Sequence, residues 1–225
     1  MTRAVLSWSG GKDAAMALYA LNDDEVEITE LLTTISETTG RSSMHGVRES
    51  LYRAQASALG LPLRIVELPD SPSNEVYESI MADVMSSYDE RGFDTVVFGD
   101  LYLEDVRTYR EDRLDRGPLE GHWPLWGWDT KMFMKDLLTA GFRAIVVAAN
   151  DAHFDRTVLG REINREFLRS LPEDVDPAGE NGEFHTLVVD GPVFNRPLSV
   201  EPGNPVTREV GEGTTMHYCD IHPVD

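Results

Sequence analysis

Apolar and polar positions alternate between two periods along the first hundred residues. Ala4 to Leu6 is a short apolar run, 27–35 alternates and carries Ile28, Leu31, Leu32 and Ile35, and Leu63 to Leu68 is closed by Pro69. Phe93 to Phe98 ends on Gly99-Asp100. These four read as strands. Between them the period lengthens to that of a helix: 14–21, 47–59 ended by Gly60, and 74–91 capped by Ser73 or Asn74 and stopped by Gly92. Strands alternating with helices at this spacing predict an α/β fold, a parallel sheet with helices on both faces.

The pattern continues less regularly. A helix is predicted over 103–116, then a break rich in proline, glycine and aromatics, His122-Trp-Pro-Leu-Trp-Gly-Trp128. That break divides the chain into 1–122 and 123–225, with its tryptophans read as core packing rather than as a base-stacking platform. Asp129 caps a helix running to Ala140, Phe142 to Ala149 is an apolar strand, and 155–171 is a helix ended by Pro172. The pattern leaves open whether the 142–149 strand extends the first sheet or opens a second lobe. Short strands are predicted at 187–189, 206–210 and 214–218.

Charge changes the picture more than composition does. Forty Asp and Glu face twenty Lys and Arg, a formal net charge of −20, and only three of the twenty cations are lysines. The acids are spread along the chain rather than gathered in a tail. Uniform acidity with lysine avoided is expected of a surface adapted to a salt-rich cytoplasm, where screening relaxes self-repulsion. It argues against wholesale nucleic-acid binding, which wants a basic face. No apolar run approaches membrane-spanning length and no basic-then-apolar leader is seen, so no membrane association is expected. The single cysteine, Cys219, can form neither an internal disulfide nor a cysteine zinc site.

The candidate chemistry begins where the first strand ends, at Ser9-Gly10-Gly11-Lys12-Asp13. Paired glycines allow a sharp turn and close approach of backbone N–H groups, the following helix adds unpaired donors and the positive end of its dipole, and Lys12 adds a compact charge. The loop is not a Walker loop, which needs Ser or Thr after its lysine and a longer glycine-to-lysine spacing. In parallel sheets ligands bind beyond the carboxyl ends of the strands. That places the first loop, the His45 loop and Gly99-Asp100 at one edge. Arg107, Arg110, Arg113 and Arg116 recur every three residues on the helix after them. They read either as a solvated stripe of ion pairs or as guanidinium groups for a phosphate or carboxylate substrate. A second cluster packs Glu180, Asn181, Glu183, His185 and Thr186 into seven residues. Such a set can orient an amine nucleophile or take its proton, and it can equally be a polar turn satisfying its own backbone.

The first loop resembles the Ser-Gly-Gly-x-Asp-Ser loop of the N-type ATP-pyrophosphatase, or PP-loop, superfamily, with Ala14 where the last serine is usual. With Gly99-Asp100, Pro124-Leu-Trp126 and Gly179-Glu-Asn-Gly-Glu-Phe-His-Thr186 in this order, the chain is similar over about residues 3 to 200 to the diphthine–ammonia ligase family. The resemblance implies a Rossmann-like ATP domain and a smaller C-terminal α+β domain. It also implies a reaction: ATP adenylates the carboxylate of diphthine on elongation factor 2, and ammonia displaces AMP. Members that make diphthamide carry Glu-Gly-Gly-Glu-aromatic-Glu-Thr at the second cluster. The sequence here, with Asp105-Val-Arg107-Thr-Tyr-Arg110, also resembles a sister branch proposed to amidate or salvage a corrinoid precursor.

The resemblance implies roles for individual residues. Ser9, Gly10, Gly11, Lys12 and Asp13 are expected to hold the pyrophosphate of ATP, with magnesium near Asp13, and His45, Gly99 and Asp100 to lie at the nucleotide edge. Lys12, Asp13, Glu180, Glu183 and His185 are expected to carry the chemistry. Arg107, Arg110, Asn181 and Thr186 are expected to bind the substrate, which is elongation factor 2 or a small-molecule carboxylate, together with ammonia. The sequence does not give the oligomeric state and leaves a homodimer open. Two rival classes remain: an ATP sensor without catalysis, which the missing hydroxyl at Ala14 keeps open, and a sulfur-transferring tRNA enzyme, which the lone cysteine and the acidity disfavour.

Overall fold

The computed structural model of the chain describes residues 1–21, 25–210 and 213–224. The first half is built from β1 (Thr2–Ser7), α1 (Lys12–Ala20), β2 (Val26–Ser36), α2 (Glu49–Leu59), β3 (Leu63–Leu68), α3 (Asn74–Glu90), β4 (Thr95–Val97), α4 (Glu104–Leu114) and β5 (Glu120–His122). Its five strands form one parallel sheet of order β3-β2-β1-β4-β5. Strand alternation explains the layers. Ala4 and Leu6 of β1 face a core containing residues of α1 and α2, whereas Val5 between them faces a second core with Val84 and Tyr88 of α3. The sheet is thus buried on both sides, as the near-continuous apolar runs predict. Ser73 caps α3, its hydroxyl accepting from the Val76 N–H, and Gly60 ends α2 in the left-handed conformation.

The second half contains α5 (Thr130–Thr139), β6 (Arg143–Asn150), α6 (Arg165–Arg169), β7 (Phe184–Asp190), β8 (Val200–Glu209) and β9 (Thr215–Pro223). These strands form a separate antiparallel sheet of order β7-β6-β9-β8, so β6 does not extend the parallel one. One apolar core nonetheless runs from Leu6, Ala15 and Leu51 through Phe133 and Leu137 of α5 to Val146, Phe167 and Leu187.

Two sequence expectations need correction. The helix over 155–171 is replaced by a single 3-10 turn at Arg156–Val158 and the short α6. Gly160 turns at φ +76° and residues 161–163 then run beside β6, with the Gly160 and Ile163 N–H groups donating to the Val146 and Ala144 carbonyls at 2.8 and 2.7 Å. Sheet hydrogen bonding overrides the local helical pattern there. The C-terminal strands are also longer than the pattern suggests and form a hairpin over 200–209 and 215–223. No helix among the described residues is long and apolar enough to cross a membrane.

Candidate functional site

The loop between β1 and α1 is shaped by residues far away in sequence. Gly10 adopts φ +75°, and a Cβ there would meet Gln55 Oε1 at 2.7 Å and the Tyr52 ring at 2.9 Å, so only glycine fits. The Gly10 carbonyl accepts from the Val188 N–H (2.9 Å) and from Gln55 Nε2 (2.9 Å), while the Ser9 carbonyl accepts from the Tyr52 hydroxyl (3.2 Å). These carbonyls are the ones that would otherwise take the Asp13 and Ala14 N–H groups in a continuing helix. With them turned outward, the first-turn donors of α1 lie outside the intrahelical ladder, at its positive end. Gly11 is the N-cap of α1, and its own N–H donates to Ser9 Oγ at 3.3 Å.

Lys12 is 3% exposed, and its Nζ pairs with both oxygens of Asp13 at 2.9 and 3.0 Å. Burial raises the Asp13 pKa, against the lowering effect of Lys12. The Lys12 N–H donates to Thr186 Oγ1 at 3.1 Å, so a hydroxyl of β7 supplies a cap to α1. Thr186 is buried at the seam between the two sheets, which a polar turn satisfying only its own backbone would not explain.

The 176–186 segment wraps the same point. Glu180 Oε1 accepts from the Leu101 N–H at 2.9 Å, and the Tyr102 hydroxyl donates to Asn181 Oδ1 at 3.1 Å. Burial, then the neighbouring Asp13 charge, push the Glu180 carboxyl up to about 7. Glu183 is buried and its Oε1 accepts from the Asp176 N–H (2.9 Å) and from Asn181 Nδ2 (3.1 Å). The His185 ring meets that of His45 with centroids 4.6 Å apart. Burial, then Lys12, lower the His185 pKa to about 4; burial, then His185, hold His45 well below its ordinary value. Two neutral imidazoles, one from each half of the chain, therefore stand beside a lysine.

Gly99 lies against the start of α1, where a Cβ would come within 2.8 Å of the Asp13 carbonyl group. Asp100 beyond it accepts from Trp123 Nε1 at 3.1 Å and pairs with Arg110 Nε at 2.9 Å. Lys12, Asp13, His45, Asp100, Glu180, His185 and Thr186 are thus gathered at the carboxyl edge of the parallel sheet. Asn181 is exposed at their rim, and Arg107 sits further out, between Trp123 and Trp126. Two surface hollows lie elsewhere, one beside Thr2, Asp94 and Glu120 and one beside Leu18, Val26 and Leu61, towards the amino ends of the strands.

Gln55 and Tyr52, which fix the loop, are not marked by the sequence pattern. Gln55 is fully buried, donates from Nε2 to the Gly10 and Val188 carbonyls, and accepts from Trp8 Nε1 at 2.9 Å. A glutamine on a helix reads as surface. The only hint is its place beside Tyr52 and Ala56 on the apolar face of α2.

A 3-2-1-4-5 parallel sheet whose first strand delivers a Ser-Gly-Gly-Lys-Asp loop to a helix N-terminus defines an α/β protein of the PP-loop class. Residues 1–116 match the diphthamide synthase N-terminal domain and residues 129–222 the diphthamide synthase C-terminal domain. The chain belongs to the diphthamide synthase family. A diphthine–ammonia ligase of Schizosaccharomyces pombe is 28% identical over 92 residues, an alignment covering 39% of this chain and 15% of that relative. Among solved structures, a predicted subunit of tRNA methyltransferase from Methanocaldococcus jannaschii aligns with TM-score 0.41 at 12% identity, over 69% of this chain and 81% of that one. A U34-tRNA thiolase from Methanococcus maripaludis with a 4Fe-4S cluster aligns with TM-score 0.38 at 15% identity, over 61% and 57%.

Proposed function

We propose that the chain is an ATP-dependent ligase that adenylates a carboxylate and transfers it to ammonia, releasing AMP and pyrophosphate, with diphthine on elongation factor 2 as the acceptor. The observation that carries this reading is the meeting of the two halves at Lys12. The loop built to receive phosphate is capped by Thr186 and faced by Glu180, a carboxyl poised near neutrality.

The residues suit each part of the reaction. Attack on the α-phosphate builds negative charge on its oxygens, which the Asp13 and Ala14 N–H groups, the α1 dipole and Lys12 are preorganised to meet. No serine hydroxyl is needed at 14 for that, because the backbone donor remains. Among the described residues no group of three or more His, Cys, Asp or Glu side chains is arranged to hold a metal ion. Magnesium is therefore expected to be held mainly by phosphate and water, with Asp13 or Asp100 as a carboxylate ligand, where it would offset charge on the phosphates. The donor chemistry fits: the Asp100 charge lies close enough to help raise the Asp13 carboxyl, and the Asp13 and Asp100 charges both help raise that of Glu180. Glu180, half ionised near pH 7, is suited to take a proton from the incoming amine, and the neutral His45 and His185 are suited to accept its N–H groups.

The test is release of AMP and pyrophosphate from ATP, magnesium and ammonium in high salt, with diphthine-bearing elongation factor 2 or a corrinoid acid added in parallel. Release that depends on elongation factor 2 supports the proposal. Release only with the corrinoid moves the chain to the sister branch, and ATP binding without release under either condition favours the sensor. Lys12→Ala should cut pyrophosphate release by about 10²–10³-fold, the usual cost of one oxyanion-stabilising group. Unchanged release would remove the loop from the mechanism.

A further inference from the structure

We propose that Arg107, set against the indoles of Trp123 and Trp126, is a binding fork for a second carboxylate of the acceptor substrate, distinct from the one adenylated at the loop. The identity of the acceptor rests on the ligase reading; the fork itself rests on geometry.

The arginines of α4 do not share one fate. Arg113 is used by Glu78 (2.5 Å), and Arg110 by Asp100 while stacking 4.4 Å from the Phe98 ring centroid. These are structural pairs. Arg107 is paired with Glu111 through its Nε at 2.7 Å, and its two Nη groups donate no hydrogen bond among the described residues. In a chain with forty acidic residues for twenty basic ones, an unclaimed guanidinium edge is unexpected.

That edge is also held rigid. The Arg107 guanidinium carbon lies 4.8 Å from the Trp123 ring centroid and 4.6 Å from that of Trp126. Phe98 stacks on Trp123 at 5.3 Å with planes 25° apart. Arg110, Phe98, Trp123, Arg107 and Trp126 therefore form one continuous ladder in which each cation rests on an aromatic face. An arginine so confined has already lost much of its rotamer entropy, so a planar anion meeting two parallel N–H donors gains bidentate bonding at low ordering cost.

The ladder adjoins the site. Trp123 Nε1 donates to Asp100, the Gly127 N–H donates to the Leu101 carbonyl at 2.7 Å, and the Leu101 N–H holds Glu180. The fork is thus tied through two short segments to the carboxyl poised for proton transfer. A substrate anchored there by a carboxylate would extend over Asp100 and Asn181 towards the loop.

Trp123 and Trp126 supply the readout. Tryptophan emission of the wild-type protein, titrated with glutarate at constant ionic strength against a chloride control, should change saturably. Arg107→Met should abolish the change, and Arg107→Lys, which keeps a cation on the indoles but loses the fork, should weaken binding by about tenfold. A flat wild-type titration, or an Arg107→Met response equal to wild type, overturns the fork. Circular dichroism identifies an unfolded Met variant, in which case the Lys variant decides. In turnover with diphthine-bearing elongation factor 2 or a corrinoid acid, Arg107→Lys should raise the KM of the acceptor by about tenfold and leave that of ATP unchanged. An equal rise in both constants overturns the assignment. A glutarate response with no turnover of either acceptor supports the fork and overturns the ligase reading, so the two fail separately.

Discussion

The two halves of the chain are joined in two physically different ways. At the phosphate-type loop the junction is buried and built from neutral groups: the Val188 N–H on the Gly10 carbonyl, the Lys12 N–H on Thr186, and Gln55 bonded to Trp8, Gly10 and Val188. At the His45 loop it is half-exposed and ionic. Arg48 binds Asp220 through two nitrogens at 2.8 and 2.5 Å, Arg41 adds a third contact at 2.8 Å, and Asp220 belongs to β9. A buried network is rigid and indifferent to salt, and removing one member strands the others. Exposed ion pairs are screened and exchange readily with water. The loop that would meet phosphate is fixed by the first kind, while the segment carrying His45 is held by the second. The difference separates a rigid, preorganised loop from a neighbour that has more freedom to adjust.

The sharpest way to break the comparison is at Gln55. Gln55→Ala would leave the Trp8 N–H and one bond to each of the Gly10 and Val188 carbonyls unmade in a fully buried site, costing about 3 kcal/mol or more of folding stability. Denaturant unfolding should show that loss unchanged between low and high salt. A loss below about 1 kcal/mol, within the range of an ordinary surface substitution, would mean that the seam is not a cooperative network.

Glu180 tests the same centre through its proton. Its carboxyl sits at about 7 in the folded chain against an ordinary 4.5, so between these values the folded state binds more protons than the unfolded one. Stability therefore falls as pH rises from 4.5 through 7, and Glu180→Gln should remove that fall. The variant is expected to melt higher than wild type at about pH 8 relative to their order at about pH 4, and to lose a limb of the pH–rate profile near 7. Parallel melting curves for the two proteins across this range would refute the burial of a strained carboxyl.

How far these features can be read from sequence depends on whether their cause is local. β1, α1 and the Ser9 to Asp13 loop are legible because strand period, glycine pair and helix period come one after another. The order of sheet strands and the contact of Thr186 with Lys12, across 174 residues, have no local signature. Gln55 looks like a surface residue because its reason for being buried, the Gly10 carbonyl and Trp8, lies on other elements. β5, only Glu120–His122, carries no alternation to detect, and its pairing with β4 supplies what periodicity does not. The arginine stripe is legible as a stripe. That Arg110 is claimed by Asp100, while Arg107 lies on Trp123 and Trp126 with its Nη groups free of hydrogen bonds among the described residues, depends on contacts of two tryptophans that the pattern marks only as core.

The smallest expected effect lies at the ionic junction. Arg48 is 40% exposed, and an exposed pair contributes about 0.5–1 kcal/mol at most, so Arg48→Ala should cost no more than that in low salt and less as salt rises. The acid dependence has the opposite sign to that of Glu180. The arginines hold Asp220 down at about 2 against an ordinary 3.8, so its contribution is complete above 3.8 and is lost as pH falls through 2. Because the clamp holds the 41–48 segment, its loss should be felt at His45 before it is felt in global stability. Ring-proton NMR of the histidines should show the His45 resonance moving in Arg48→Ala while the loop amide of Gly10 stays in place. If Gly10 moves with His45, the two junctions are one mechanical unit, and the distinction between a rigid loop and an adjustable neighbour disappears.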